Sequence, residues 1–596
     1  MRQRFNSMST MFTSLKRVLK GLAEFKGLIV VVLISTVLST VLTIFGPREL
    51  GKATTLIFEG ITRLVQGTGG MDFQAIGRVL VWVATLYIIS AIFSAIQGYA
   101  MITMTETYTY RLREAMMDKI NRMPMAYFES TPYGEVLSRI VNDVDTLGAS
   151  LSQSAAQLLT SVATIIGIGI IMFSMNGLLA ILVILIVPVS VIIIQWITRY
   201  SQRYFRSQQR TLGVMTGQVE EVYSGLNIVQ AFNQEEETKE EFEASNDRMW
   251  QDAWRSQFYS GILFPLMRLL SNLGYAMVVI VGAFQVIMGR MSVGEIQAFT
   301  QYVNRFTQPI SQISQIMNLM QTMAASADRV YEFLDEAEES QTEGDNLVVA
   351  EVEGDVTFEH VHFGYVPGQT IIHDFSARVQ SGQKVALVGP TGAGKSTIVK
   401  LLMRFYDVDG GSIRLDGEAN TRYSRQSYQQ AMAMVLQDTW LFKGTIMENI
   451  RYGRLDASDE EVIKAAKQAR VHHFIQSLPG GYHFELSEDA ANISQGQRQL
   501  LTIARALLAD RPVLILDEAT SSVDTRTESL IQEAMVELMK GRTSFVIAHR
   551  LSTIRDSDLI FYMEDGDIVE QGDHDTLMDL SGRYANLYNS QFAANE

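Results

Sequence analysis

Residues 389–396 read Gly-Pro-Thr-Gly-Ala-Gly-Lys-Ser, and that order of small residues, one lysine and one hydroxyl can hold a polyphosphate. In the G-x-x-x-x-G-K-[ST] pattern the glycines Gly389, Gly392 and Gly394 let the backbone wrap close to phosphate oxygens. Lys395 reaches the β and γ phosphates of ATP, and Ser396 offers its hydroxyl to Mg2+. Thr391, Ala393 and Thr397 complete the same cradle. An apolar, strand-like run over 384–388 precedes the loop and a helix-like run from Thr397 to Phe405 follows it, so a helix dipole also favours the anion. By ordinary residue frequencies the bare pattern turns up by chance in a chain of this length about one time in a hundred.

A second apolar run, Val513-Leu514-Ile515-Leu516, ends in the adjacent carboxylates Asp517 and Glu518. At the tip of a buried strand beside a phosphate loop, Asp517 holds the Mg2+ shell and Glu518 accepts a proton from the attacking water. Adjacent acids at a strand end are otherwise ordinary solvated groups. The phosphate loop upstream gives this pair its meaning.

These residues must be carried by a chain of 596 residues, too long for one hydrophobic core. Charged residues make up 19% and hydrophobic ones 47%, and most charges lie after residue 325, so the first half alone has the character of a membrane protein. The net charge of −16 argues against a nucleic-acid surface. The absence of cysteine excludes disulfides, thiolate metal sites and a cysteine protease domain. No cleavage-site pattern follows a short apolar core near the start, so no removable signal peptide is expected.

Charge-free apolar stretches predict helical spans at Gly27 to Pro47 and Val79 to Thr105. A pair joined by a hairpin at Ser174-Met175-Asn176-Gly177 occupies Thr146 to Thr198, a fifth span runs from Ser256 to Gly289, and a more polar sixth from about Val293 to Met323. Basic residues precede the first span and fill the segments after the second and fourth, so the positive-inside rule places both termini in the cytoplasm. Arg48, Lys52 and Arg63 in the first external loop blur that rule. Ahead of the first span, Phe12, Leu15, Val18, Leu19, Leu22 and Phe25 recur at helical spacing, as in a helix lying on a membrane surface or packed on a protein core. The stretch Arg199 to Arg255, poor in glycine and proline, reads as a pair of helices projecting from the bilayer and returning.

The sixth stretch carries Gln297, Gln301, Asn304, Gln308, Gln312, Gln315 and Asn318 every three or four residues. Amides facing lipid are costly, so this stripe lines a wet cavity or bonds to neighbouring helices. Arg305 beside it and Arg268 in the fifth span are candidate cargo or gating contacts, or ion-pair partners. After it comes an acidic, weakly patterned linker. The expected architecture is therefore an all-α six-helix transmembrane domain over 1–327, a linker over 328–350 and an α/β P-loop nucleotide-binding domain over 351–596.

In its order of motifs the chain resembles the ATP-binding cassette (ABC) exporters along nearly its whole length. In that family's terms Tyr365 matches the aromatic that stacks on adenine, and Gln437 the glutamine that senses Mg2+ and water. Ser494, Gly496 and Gln497 match the signature motif, Asp524 the D-loop, and His549 the switch histidine at the γ-phosphate. Residues 128–145 and Glu220 to Glu237 resemble the two cytoplasmic coupling regions. The resemblance implies a half-transporter that pairs with a second such chain, each ATP being clasped between one chain's P-loop and the other's signature motif.

Gln495 stands where the usual signature has glycine, and its side chain would crowd the nucleotide or weaken the clamp. With Glu518 and His549 intact, the chain is similar to the catalytically competent subunit of heterodimeric bacterial multidrug exporters, although a homodimer that tolerates Gln495 fits too. The resemblance then implies a multi-pass protein of the bacterial cytoplasmic membrane that uses ATP and Mg2+ to export hydrophobic or amphipathic compounds by alternating access. A lipid flippase, an importer on the exporter fold and an ATP-gated channel are the rivals.

Overall fold

The structure, a computed structural model, describes residues 13–339, 343–436, 439–517, 524–548 and 551–591. The chain forms two compact units, Met1–Met117 with Gly134–Asp335, and Asp118–Tyr133 with Glu336–Glu596.

Every described secondary-structure element of the first unit is a helix. Its principal helices are α1 (Lys26–Val65) and α2 (Phe73–Ile120) and, beyond the short α3 (Met125–Ser130) that belongs to the second unit, α4 (Val144–Met175), α5 (Gly177–Ile184), α6 (Ile186–Ser224), α7 (Glu235–Gly261), α8 (Leu263–Ile287) and α9 (Val293–Asp335). Among the described residues 5 helical stretches are long and apolar enough to cross a membrane, namely Thr13–Val65, Phe73–Ile120, Tyr133–Met175, Gly177–Ser224 and Glu235–Ile287. Their large apolar side chains face outward: Ile88, Ile92, Ile170, Ile192 and Phe284 are all more than half exposed. A water-soluble unit would not leave such a belt uncovered; hydrocarbon covers it at no cost.

α9, with its amides, is long but falls outside that set. The stripe divides between the two uses open to it. Thr54 of α1 donates to Gln297 at 3.2 Å and Ser271 of α8 donates to Asn304 at 2.8 Å, whereas Gln308 and Gln312 line a cavity of about 770 Å³ among α1, α2, α4 and α9. Arg305 reaches this same cavity, and Arg268 is exposed on α8.

One expectation from the sequence changes, and one choice it left open is narrowed. Arg48, Lys52 and Arg63 lie in no loop: α1 runs unbroken through Pro47 to Val65, because a proline within a long helix removes one backbone bond that neighbouring helices compensate. The amphipathic stripe ahead of α1 is partly consumed inside the unit. Val18 and Leu22 are buried, Ser14 donates to Asp328 of α9 at 2.9 Å, Arg17 is paired with Asp335, and Leu19 remains exposed. Phe12 lies outside the described residues. The hairpin between the third and fourth stretches turns at Asn176, whose side chain accepts from the Leu179 N–H at 3.2 Å and so caps α5.

The second unit is an α/β fold. A four-stranded sheet has the order β2-β1-β4-β5, formed by β1 (Val356–Phe363), β2 (Ile372–Val379), β4 (Gly410–Leu415) and β5 (Glu418–Ala419). A six-stranded sheet has the order β10-β9-β3-β8-β7-β6, formed by β3 (Lys384–Val388), β6 (Met432–Val435), β7 (Val513–Asp517), β8 (Thr543–Ile547), β9 (Leu559–Glu564) and β10 (Asp567–Gly572), in which only the β9–β10 pairing is antiparallel. Period-2 alternation explains the near-continuous apolar strands. Ala386, Val388, Leu514, Leu516 and Val546 enter one core, while Val385, Leu387, Val513, Ile515 and Phe545 enter another on the opposite face.

α1 and α9 touch backbone to backbone. A Cβ built on Gly51 would stand 2.4 Å from the Gly294 carbonyl oxygen, and the Gly294 N–H donates to Thr55 Oγ1 at 3.1 Å. Gly51→Ala is expected to cost about 1–3 kcal/mol by forcing the helices apart, read as a lower melting temperature in detergent. Gly169→Ala in α4, where the Cβ meets nothing within 4 Å, is expected to melt no lower than the parent.

Candidate functional site

The loop at residues 389–394 leaves the carboxyl end of β3 and opens α10 (Lys395–Leu402). Two of its glycines are required by geometry. Gly389 has φ 149° and a Cβ there would lie 2.1 Å from the Met563 carbonyl oxygen; Gly394, the N-cap of α10, has φ 95° and would press a Cβ to 2.8 Å from Ile372. Gly392 at φ 88° completes the turn, Ala393 and Thr397 are buried, and Thr391 and Ser396 are exposed. Lys395 Nζ donates to the carbonyls of Gly389 and Pro390 at 2.8 and 2.9 Å, so its amine sits over the concave side of the loop. Burial pushes this lysine below its usual range, and the carboxylate of Asp517 opposes that shift.

Parallel register brings the remaining pieces to the same edge. β8 lies between β3 and β7 and pairs Ile547 with both Leu387 and Asp517; β6 pairs Val435 with Leu516. The phosphate loop, Asp517, the end of β8 and the end of β6 thus share the carboxyl edge of a parallel sheet, where such folds place ligands. Glu518 follows Asp517, His549 follows Ala548 and Gln437 follows Leu436 in the sequence; these three lie outside the described residues. Ser396 and Asp517 together offer one hydroxyl and one carboxylate, hard oxygen donors that leave positions for phosphate and water, a set that suits Mg2+.

Tyr365, beyond β1, stands edge-on to Phe363 at 5.0 Å and to Tyr406 at 5.1 Å and donates from its hydroxyl to Thr397 Oγ1 at 3.3 Å. Lys400 of α10 lies 5.3 Å from its ring centre. The signature residues lie at the start of α11 (Gln495–Ala509): Ser494 caps it and forms a reciprocal box with Gln497, Gly496 is buried, and Gln495 is exposed in the first turn. Asp524 caps α12 (Thr525–Met539) through the Thr527 N–H at 3.0 Å, and the Thr527 amide and hydroxyl hold its carboxyl below the usual range.

The sequence did not single out Glu129, Lys400 and Tyr406. Glu129, on α3, accepts from Lys400 Nζ at 2.8 Å and from the Tyr406 hydroxyl at 2.7 Å, so the segment Asp118–Tyr133 is fastened beside Tyr365. Residue type carries no signal for a pairing across 271 positions. Burial alone would raise Glu129, but the bonds from Lys400 and Tyr406 hold it below its usual range. Burial alone would lower Lys400, but its bond to Glu129 leaves it raised.

A membrane-length helical unit joined to a P-loop ATPase defines a membrane protein that binds nucleotide. The comparisons name the family. Residues 29–310 match the family model described as ABC transporter transmembrane region and residues 372–521 the one described as ABC transporter. A "Fatty acid ABC transporter ATP-binding/permease protein" of Mycobacterium bovis is 42% identical, covering 96% of this chain and 95% of that protein. A "Putative multidrug export ATP-binding/permease protein YgaD" of Bacillus subtilis is 35% identical over 81% and 83%. The solved structure of a bacterial Atm1-family ABC exporter with ATP bound superposes with a TM-score of 0.75 at 28% identity, covering 96% of this chain and 98% of that one. The chain belongs to the ABC transporter family and is an ATP-hydrolysing, multi-pass membrane exporter; ATPase domains of this family bind ATP with Mg2+.

The Glu129–Lys400 pair stabilises the fold across neutral pH. Its depressed carboxyl loses that contribution only as pH falls through the lowered value, and its raised amine only as pH rises through the raised one. With each side chain 31% exposed, Glu129→Gln is expected to weaken ATP binding about two- to fivefold at neutral pH, measured by titration calorimetry. Combined with Tyr365→Ala it adds little, because both act on one aromatic ring.

Proposed function

We propose that this chain is one half of an ATP-driven exporter of hydrophobic or amphipathic compounds in the bacterial cytoplasmic membrane, with α9 as a sixth span and both termini cytoplasmic. The functional division runs as 1–327 for the membrane domain, 328–350 for the linker and 351–596 for the nucleotide-binding domain. One observation carries the reading: the glycine loop with Lys395, and Asp517, meet at the carboxyl edge of one sheet in a chain whose other unit presents an apolar belt.

In this reading Lys395, Ser396, Thr397 and the loop amides from Gly389 to Gly394 orient the phosphates, and Tyr365 stacks on adenine. Asp517, Ser396 and Gln437 hold the Mg2+ shell, Glu518 takes the proton from water, and His549 contacts the γ-phosphate. Ser494, Gly496, Gln497 and Asp524 serve the nucleotide held by the second chain. Closure of the paired ATPase units turns the membrane cavity from inward- to outward-facing, and hydrolysis resets it. Support for a second chain comes from the end of the α6–α7 hairpin, where Tyr223, Ile228 and Phe232 are exposed at 80%, 65% and 71%. Such an apolar tip fits a socket on a partner.

Gln495 favours a partner of different sequence that contributes an intact signature motif. The relatives named for fatty acids and for multidrug export support amphipathic cargo, and the first of them keeps lipid translocation as a second reading.

Glu518→Gln is expected to lower ATP turnover at least about a hundredfold while ATP binding stays within about threefold; turnover at the parent rate would remove Glu518 from the role of base. The chain purified alone is expected to turn ATP over slowly and to gain activity with its partner. A parental rate in isolation would establish the homodimer instead.

A further inference from the structure

We infer that Arg305 makes the membrane cavity an anion site, so that the preferred cargo is an amphipath with a negatively charged head. The inference rests on the export reading above and names its substrate class.

The cavity of about 770 Å³ is lined by hydroxyls and amides from α1, α2, α4 and α9, Gln97, Gln153, Gln157, Gln308 and Gln312 among them. Among the described residues lining it, Arg305 is the one charge. No carboxylate stands within ion-pair distance of Arg305 among the described residues; its guanidinium donates from Nη1 to the Thr43 carbonyl oxygen at 2.9 Å. Thr43 is itself anchored, its hydroxyl 2.6 Å from that of Ser90 on α2. The arginine is therefore tethered at one end of its guanidinium by a backbone carbonyl. Among the described residues no other hydrogen bond engages its guanidinium, which leaves N–H groups for a planar anion, and a guanidinium fork matches a carboxylate with two parallel bonds.

A fixed cation without a counter-ion, at membrane depth, is costly unless a ligand supplies the opposite charge. The glutamines can donate to the same anion but cannot neutralise the arginine. A neutral amphipath would leave that charge unmatched, and a cationic one would be repelled. The chemistry selects a single negatively charged head, with the apolar tail lying along Ile44, Ile168 and Pro309, which also line the cavity.

The test uses the full chain in nanodiscs of zwitterionic lipid, at alkaline pH where the acid is ionised, with radiolabelled hexadecanoate and hexadecanol as matched probes. The parent is expected to bind hexadecanoate at least about tenfold more tightly than hexadecanol. Arg305→Gln abolishes that preference while hexadecanol affinity persists, which doubles as the check on folding, and Arg305→Lys retains part of it. Equal binding of the two probes by the parent, or a preference that survives Arg305→Gln, overturns the anion site and leaves the export reading standing. If neither probe binds, amphipath export itself falls and takes the anion site with it.

Discussion

A turn wide enough for backbone alone closes the carboxyl end of β3, and the ATPase half is arranged around it. At Gly389 the carbonyl of Met563 occupies the space that any side chain would need, so β9 must lie beside β3 where it does. On the other flank β8 carries the chain to Ala548, and β7 brings Asp517 into the field of Lys395. Two apolar cores, one on each face, hold these strands in register. A slip of one residue would exchange the two faces and withdraw Asp517 from the loop.

Tyr365, which the proposed function sets against adenine, is fixed less by the sheet than by a polar clasp. Tyr365 is boxed by Phe363 and Tyr406, and Tyr406 is in turn bonded to Glu129 of a segment that arrives from between two membrane-length helices. Lys400 joins both groups, lying over the Tyr365 ring and bonding to Glu129. A displacement of α3 therefore cannot leave Tyr365 undisturbed. The clasp thus joins a carboxylate, an amine and edge-on rings into one contact around Tyr365.

What the sequence disclosed was whatever depends on local order. The phosphate loop, the strand ending in Asp517 and the hairpin at Asn176 are each set by residues within a few positions of one another. The apolar stretches were legible for the same reason, although Arg48, Lys52 and Arg63 misled: charges that resemble a loop sit on the continuing α1, which outlasts its apolar part. Partners remote in sequence were hidden. Glu129 with Lys400, Arg17 with Asp335 and Gln297 with Thr54 are chosen by the packed helices and carry no signature of their own. The amide stripe of α9 shows both limits at once, since its periodicity announced a polar face but not which amides bond to helices and which face the cavity. Glu518, His549 and Gln437 were legible as motifs and lie outside the described residues.

In the proposed function ATP drives amphipathic molecules out of the cytoplasm through this chain and its partner. Inside-out membrane vesicles, with the ATPase units facing the bath, test it through accumulation of a fluorescent amphipathic dye. Uphill uptake into the vesicle lumen is expected, requiring ATP and Mg2+ and stopping when ATP is replaced by a non-hydrolysable analogue. Dye that merely equilibrates, or that is driven from the lumen to the bath when ATP is added, would contradict it.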